Sequence, residues 1–235
     1  MFALTDAAIW VAGVDFSGDS NKLMASAKVE AKDTTTFGSG GWRSRIGGLR
    51  SAEMAVDGYW SSAVDAAGIP DLGVVDKVVT LSPDGSAGSV AYMFQAGQFS
   101  YDTGEAVGEV LPFSIDAQGT NGVGMVRGLV AIPKGDVSAT GPVGSALDLG
   151  AVGSGQHLYA AVHLFAAGTT VTVTVESDVD DTFAAPTTRA TIGPLTATGG
   201  TWMTRLPGPI TDTWWRITVT DITGTHTVAA AIAIQ

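Results

Sequence analysis

The side chains of this chain best suited to chemistry are three histidines and a cluster of carboxylates, and their spacing decides what they can do. His157 and His163 stand six positions apart in a segment that reads as a strand. At the strand rise that is about 20 Å, too far for the two to share a metal ion. They and His226 read as ordinary, partly buried histidines. Glu176, Asp178, Asp180 and Asp181 offer the hard oxygens that calcium prefers, but the glycine and the distal glutamate of a calcium loop are missing. A solvated acidic turn is the simpler reading. Gly150, Gly153 and Gly155 have the wrong spacing for a phosphate-binding loop, and no strongly helical segment follows them. The chain holds no G-x-S-x-G elbow, no H-E-x-x-H and no Walker lysine. Asp57 and Asp102 form a carboxylate pair only if folding unites them. These residues predict a protein that is not an enzyme, with no catalytic centre, no metal and no cofactor.

The elements that must carry these residues are strands. Leu23, Ala25, Ala27 and Val29 alternate with Met24, Ser26, Lys28 and Glu30, and Met54, Val56, Gly58 and Trp60 alternate with Glu53, Ala55, Asp57 and Tyr59. Period two marks half-buried strands. Strands are predicted at 9–14, 22–30, 51–60, 74–82, 90–101, 107–117 and 123–132, then at 158–165, 170–177, 189–193, 201–206, 213–222 and 225–235. The one helix predicted is SSAVDAAG at 61–68, with Ser61 or Ser62 as its cap and Gly68 and Pro70 as its stop. Residues 134–155, rich in Gly, Ser, Ala and Pro, read as a linker or long connecting loop. The expected fold is therefore all-β, with a first domain over 1–135 and a second β-sandwich-like half over 136–235.

Composition agrees with that class. The chain has 235 residues, 45% hydrophobic and 15% charged, with 31 glycines. It can bury a sizeable core, and its scarcity of helix formers favours strands. A net charge of −11 excludes tight gripping of nucleic acid through a basic surface. The same charge suits a conduit through which a phosphate polyanion must slide without sticking. The absence of cysteine suits assembly in a reducing cytoplasm. Residues 1–16 lack the basic start and long apolar run of a secretory leader, and no run of about eighteen apolar residues predicts a membrane span.

Between the strands at 22–30 and 51–60 lies a segment too long and too decorated for a hairpin turn. It carries Thr34, Thr35 and Thr36, then Phe37, Gly38, Gly40 and Gly41, then Trp42, Arg43 and Arg45, and closes with Ile46, Gly47, Gly48 and Leu49. Long loops of this kind tend to be functional or disordered, and a solvated flexible loop is the competing reading. The pattern of T-T-F-G, an aromatic and basic stretch, an I-x-G-L close and a strand ending in G-x-W resembles the major tail tube proteins of long-tailed bacteriophages. The likeness is clearest over residues 14–62 and looser from Ala146 to Gln235. Gly47 and Gly48 stand where a proline would be expected before the loop's closing glycine.

That resemblance implies a tail-tube-like sandwich or barrel flanked by a helix. It also implies an assembly loop at 34–50 reaching a neighbouring subunit, with Thr36, Phe37, Trp42, Arg43, Arg45, Ile46 and Leu49 at the interface. Its partners would be further copies of the chain in stacked rings, the tape measure, tail terminator and distal tail proteins, and double-stranded DNA passing without tight binding. No membrane partner is implied.

The two halves share a motif. Val29, Glu30, Thr36, Phe37, Arg43, Ile46, Gly47 and Leu49 recur as Val175, Glu176, Thr182, Phe183, Arg189, Ile192, Gly193 and Leu195, at a constant offset of 146. If this is a duplication, a ring can close as a trimer of double units. Otherwise a hexamer is the expectation. The competing function rests on Trp202, Trp214, Trp215 and Tyr159, whose aromatic rings would suit a carbohydrate- or receptor-binding sandwich. Trp214 and Trp215 must face opposite sides of any strand, so at most one can be exposed. A capsid decoration protein built of the same β modules is a further alternative.

Overall fold

The computed structural model describes residues 6–235. Residues 1–5, on which the reading of 1–16 partly rests, lie outside the described residues. The strands in chain order are β1 (Ala8–Val11), β2 (Val14–Asp15), β3 (Ser20–Asp33), β4 (Arg45–Tyr59), β5 (Lys77–Ser82), β6 (Val90–Thr103), β7 (Pro112–Gly119) and β8 (Val126–Val137). They continue as β9 (Gly141–Asp148), β10 (His157–Ala166), β11 (Thr170–Asp178), β12 (Thr187–Leu195), β13 (Gly199–Trp202), β14 (Leu206–Pro207), β15 (Trp214–Thr223) and β16 (His226–Ile234). The helix α1 spans Ser62–Gly68, and Ser61 caps it by accepting the Val64 amide at 3.2 Å. The fold is all-β with one short helix, as the composition and period-two patterns predict.

Every strand pairing is antiparallel. A large sheet follows the order β13-β10-β16-β8-β6-β5-β1-β2, and β7, β4 and β3 branch from β6. A second sheet has the order β12-β11-β15-β9. The branching is possible because β6 is long: Val90–Met93 pair with β8, while Ala96–Thr103 pair with β7.

Three cores separate the resulting layers. The first lies between β4 and β7 on one side and β1, β5 and β6 on the other, around Met54, Val56, Val79, Phe94 and Ile115. The second holds Trp10, Val78, Met93, Tyr159 and Ala231. The third, around Leu158, Val173, Trp215, Ile217 and Ile232, fills the space between β10 and β16 and the second sheet. β16 serves two cores at once. Val228, Ala230 and Ile232 face the third, while Ala229, Ala231 and Ala233 face the second. A strand buried on both faces reads as a continuous apolar run, which is the pattern of its sequence.

The linker reading of 134–155 is corrected. Gly135, Asp136 and Val137 end β8 and pair with β16, and Gly141–Asp148 form β9, paired with β15. The segment is poor in large residues because β9 is a mostly exposed edge strand that lies close to β8. At Gly144, with φ of +77°, a Cβ would stand 1.9 Å from the Ala131 carbonyl oxygen. Residue 135 thus falls inside a strand hydrogen-bonded to both β6 and β16. The strand predicted at 107–117 is also corrected, since β7 begins at Pro112 and residues 104–111 form a loop. Gly104 and Gly108 have φ of +157° and +98° there, outside strand geometry.

Candidate functional site

The predicted assembly loop is part of a long hairpin arm. β3 and β4 pair from Ser20 opposite Gly58 to Asp33 opposite Arg45, so the loop proper is 34–44 and residues 45–50 belong to β4. The sequence hid this extension because both faces of the outer arm are exposed, and pairing without burial leaves no apolar period. A β-bulge between Val29 and Ala31 shifts the register there. β7 supports β4 only from Tyr59 to Glu53. Beyond Ala52 the two strands have no third partner among the described residues, and they project about 23 Å past the sheet before the tip.

The tip is held by its own polar groups. The Thr34 amide donates to the Ser44 carbonyl at 2.9 Å, and the Ser44 amide donates to Thr35 Oγ1 at 2.9 Å. Asp33 Oδ1 accepts the Thr35 amide at 2.8 Å, and hydrogen bonding from the Thr35 side chain and then from that amide holds the Asp33 carboxyl below the usual carboxylate range. Gly40 and Gly41 take positive φ to turn the chain.

On this frame the large side chains have nothing to pack on. Phe37 is as exposed as in an extended chain, Trp42 is 79% exposed and Leu49 81%, with Ile46 and Val29 more than half exposed. Thr36 is exposed beside Phe37. Covering a Leu, Ile or Phe stabilises by about 1.5–3 kcal/mol relative to leaving it in water. Residues 34–52 carry Arg43, Arg45 and Arg50 and no carboxylate, while β3 brings Glu30 and Asp33 to the same arm, Asp33 opposite Arg45, on a protein of net charge −11. Among the described residues none of the three makes an ion pair. The structure therefore gathers Thr36, Phe37, Trp42, Arg43, Arg45, Ile46 and Leu49 on one projecting element. A two-stranded hairpin of this kind is marginal alone in water.

Behind the arm, the outer face of β3, β4, β7 and β6 is polar. Lys22, Asp57, Ser114 and Asp102 form one row across the four strands. Asp57 and Asp102 are two strands apart, about 10 Å, with Ser114 between them. Lys22 Nζ lies 2.5 Å from Asp57 Oδ2, and Ser114 Oγ donates to Asp57 Oδ1 at 2.8 Å. The Lys22 bond and then the Ser114 bond hold the Asp57 carboxyl below its ordinary pKa, so it stays ionised at neutral pH. Asp116 and Glu53 lie on the same face in the following rows.

The remaining candidates are spent on structure. His163 is fully buried, its Nε2 lies 2.8 Å from Thr80 Oγ1, and burial pushes its pKa down to about 3. His226 is buried and accepts the Gly168 amide through Nδ1 at 3.2 Å, while His157 is half-buried near Tyr159. Glu176 accepts from Arg216 and Thr218, both at 2.8 Å, and Asp178 takes the Val179 and Ala185 amides at 2.7 and 3.0 Å. Half of the expected solvated turn is thus buried, because Phe183 folds under the turn and Arg216 stacks on it at 4.2 Å. Among the described residues no three metal-type side chains converge. Trp215 is fully buried and Trp214 and Trp202 are half-buried, the latter against Tyr159 at 6.0 Å.

Sequence reasoning missed one exposed group, at the opposite end of the sheet. The 104–111 loop shows Val107 and Val110 to solvent beside Glu105 and Glu109. The paired glycine-acid steps of G-E-A-V-G-E-V were the available signal.

No protein-family model and no curated protein matches the chain. Solved structures do. One chain, from the virion of a native gene transfer agent particle, aligns at 19% identity and a TM-score of 0.43, over 51% of this chain and 95% of that one. A chain of the tail of an empty gene transfer agent particle, of C6 symmetry, aligns at 17% and 0.38, over 44% and 78%. The SPP1 Dit protein, described as a paradigm of the hub adsorption apparatus in phages infecting Gram-positive hosts, aligns at 9% and 0.42, over 98% and 100%. Among the described residues no helix is long and apolar enough to cross a membrane.

Proposed function

We propose that this chain is a structural protein of a phage-type virion tail. Its copies close into rings and stack into the tail tube, a conduit for double-stranded DNA. The observation that carries the reading is the arm: a projecting hairpin with a Phe, a Trp, an Ile, a Leu and three arginines that its own fold leaves uncovered. Such a surface is a liability on a monomer and an asset on a subunit. β3 adds a strand of 14 residues whose outer edge is unpaired among the described residues. Neighbours around a closed ring would consume that edge.

The acidic and polar face of β3, β4, β7 and β6 suits a lumen wall, since it repels a phosphate polyanion. Arg43 and Arg45 bind carboxylates of a neighbouring subunit, and Phe37 and Trp42 anchor the contact. Ring symmetry follows as a hexamer or a trimer of double units. The tape measure, terminator and distal tail proteins are the expected partners, in a virion assembled in the host cytoplasm.

Negative-stain microscopy of the concentrated recombinant chain tests this, with stacked rings or hollow tubes as the expected result. Phe37→Ala and Trp42→Ala should each lower tube yield while the monomer stays folded. A lasting monomer that binds glycans on an array would replace the reading with a carbohydrate-binding module.

A further inference from the structure

The arm tip and the 104–111 loop lie at opposite ends of one sheet. β4 runs from Arg45 at the tip to Tyr59, a span of about 46 Å at the strand rise. Tyr59 pairs with Pro112, and the Trp60 amide donates to the Leu111 carbonyl at 2.9 Å, which fastens the loop to the far end of β4. The two surfaces cannot meet within one chain.

They are nevertheless complementary. The tip is apolar and basic: residues 34–52 hold three arginines and no carboxylate, against Asp33 opposite Arg45 at its base. The far pole is apolar and acidic: residues 102–111 hold Asp102, Glu105 and Glu109 and no Lys or Arg. Val107 is as exposed as in an extended chain and Val110 is 68% exposed. Trp60, tied to the loop by its backbone bond to Leu111, is 39% exposed, its indole N–H donating to Asp65 Oδ1 at 3.3 Å and the Tyr101 hydroxyl donating to the same oxygen at 3.0 Å. The aromatic wall of the pole is thus positioned by hydrogen bonds before anything arrives. Among the described residues neither Glu105 nor Glu109 makes an ion pair.

We propose that the arm tip of one copy docks on this pole of a second copy. Phe37 and Trp42 lie against Trp60, Val107 and Val110, and Arg43 and Arg45 pair with Glu105 and Glu109. The inference rests on the self-assembly reading and names the surface that receives the arm. Because tip and pole are different patches of one molecule, the contact is heterologous and repeats from copy to copy instead of closing a two-fold dimer. Oppositely charged faces also favour the head-to-tail encounter over tip-to-tip or pole-to-pole approach.

Charge reversal tests it. Four chains are compared by sedimentation of assembled material: the unmodified protein, Arg43→Glu with Arg45→Glu, Glu105→Lys with Glu109→Lys, and all four together. Each pair alone should cut the pelleted fraction by about tenfold or more, and the fourfold variant should restore most of it, as swapped charges do at a true interface. The chain has no cysteine, so Thr36→Cys with Ala106→Cys in one chain should give an oxidised ladder beyond the dimer, where either alone stops at two copies. If the arm reversal blocks assembly but the pole reversal does not, and no ladder forms, the receiving surface lies elsewhere while assembly through the arm stands. If the unmodified chain never pellets and the double-cysteine chain never ladders, both readings fall.

Discussion

Two hairpins of this molecule share a sequence motif and live in opposite surroundings. In the arm, Val29 is 56% exposed and Ile46 59% exposed; at the matching positions of the β11–β12 hairpin, Val175 and Ile192 are buried. Phe37 stands in solvent, whereas Phe183 is buried under Arg216. Among the described residues Arg43 has no ion pair, whereas Arg189 bonds Asp212 at 2.6 Å and Ser177 at 2.7 Å. The pairings differ as well. Val175 lies opposite Ala190, which the offset maps to 190 − 146 = 44, whereas Val29 lies opposite Arg50. The matched residues therefore occupy different places in the two hairpins. β11 has β15 on its other edge and a core beneath it; the outer arm has neither. Neighbours, and not the local residues, decide whether the motif becomes core or surface.

The sharpest contrast is in stability. Ile192→Ala should cost about 2–5 kcal/mol, a core truncation with a cavity, while Ile46→Ala in the unassembled chain should stay within about 0.5 kcal/mol. Urea unfolding of both variants checks this, and equal losses would break the comparison.

Acid should separate the packed layers from the arm. The folded pKa of His163 is about 3, below the unfolded value, so as pH falls below about 6.5 the unfolded state takes up a proton that the fold refuses. Stability should be complete above that pH and fall by about 1.4 kcal/mol per pH unit until the folded pKa is reached. Asp15 favours the charged form of the ring, which keeps its folded pKa from falling further and so limits the width of that pH window. His163→Leu should flatten the dependence between pH 6 and 4. An unchanged slope would show that His163 is not the group responsible. The smallest contrast is Arg189→Ala, expected to cost about 1–2 kcal/mol by leaving Asp212 short of a partner, against no measurable loss for Arg43→Ala. Thermal melts of the two would rank them.

These contrasts also show what the sequence could reveal. The strands of the third core were legible because Val171, Val173 and Val175 alternate with polar residues. The exposed tip was legible as chemistry, since aromatics and arginines in a glycine-rich stretch have few uses inside a fold. The length of the arm was not, because strand residues exposed on both sides carry no period. β9 escaped for a related reason: an edge strand that packs closely on β8 through Gly144 has no room for the side chains by which strands are recognised. The acidic pole was not legible, because its contrast in charge with the tip appears only once both are placed at the two ends of β4.

The position of β16 has a consequence for synthesis. It lies between β8 and β10, pairing with both, yet it follows every strand it joins in the order of translation. Until residues 226–234 leave the ribosome, β8 and β10 each present an open edge, and the second and third cores lack the strand that faces both. A nascent chain can fold its first core early, but the layers beyond it must wait. Completion of the body is therefore gated by β16, and a polysome bearing unfinished copies would carry arms already made on bodies not yet closed.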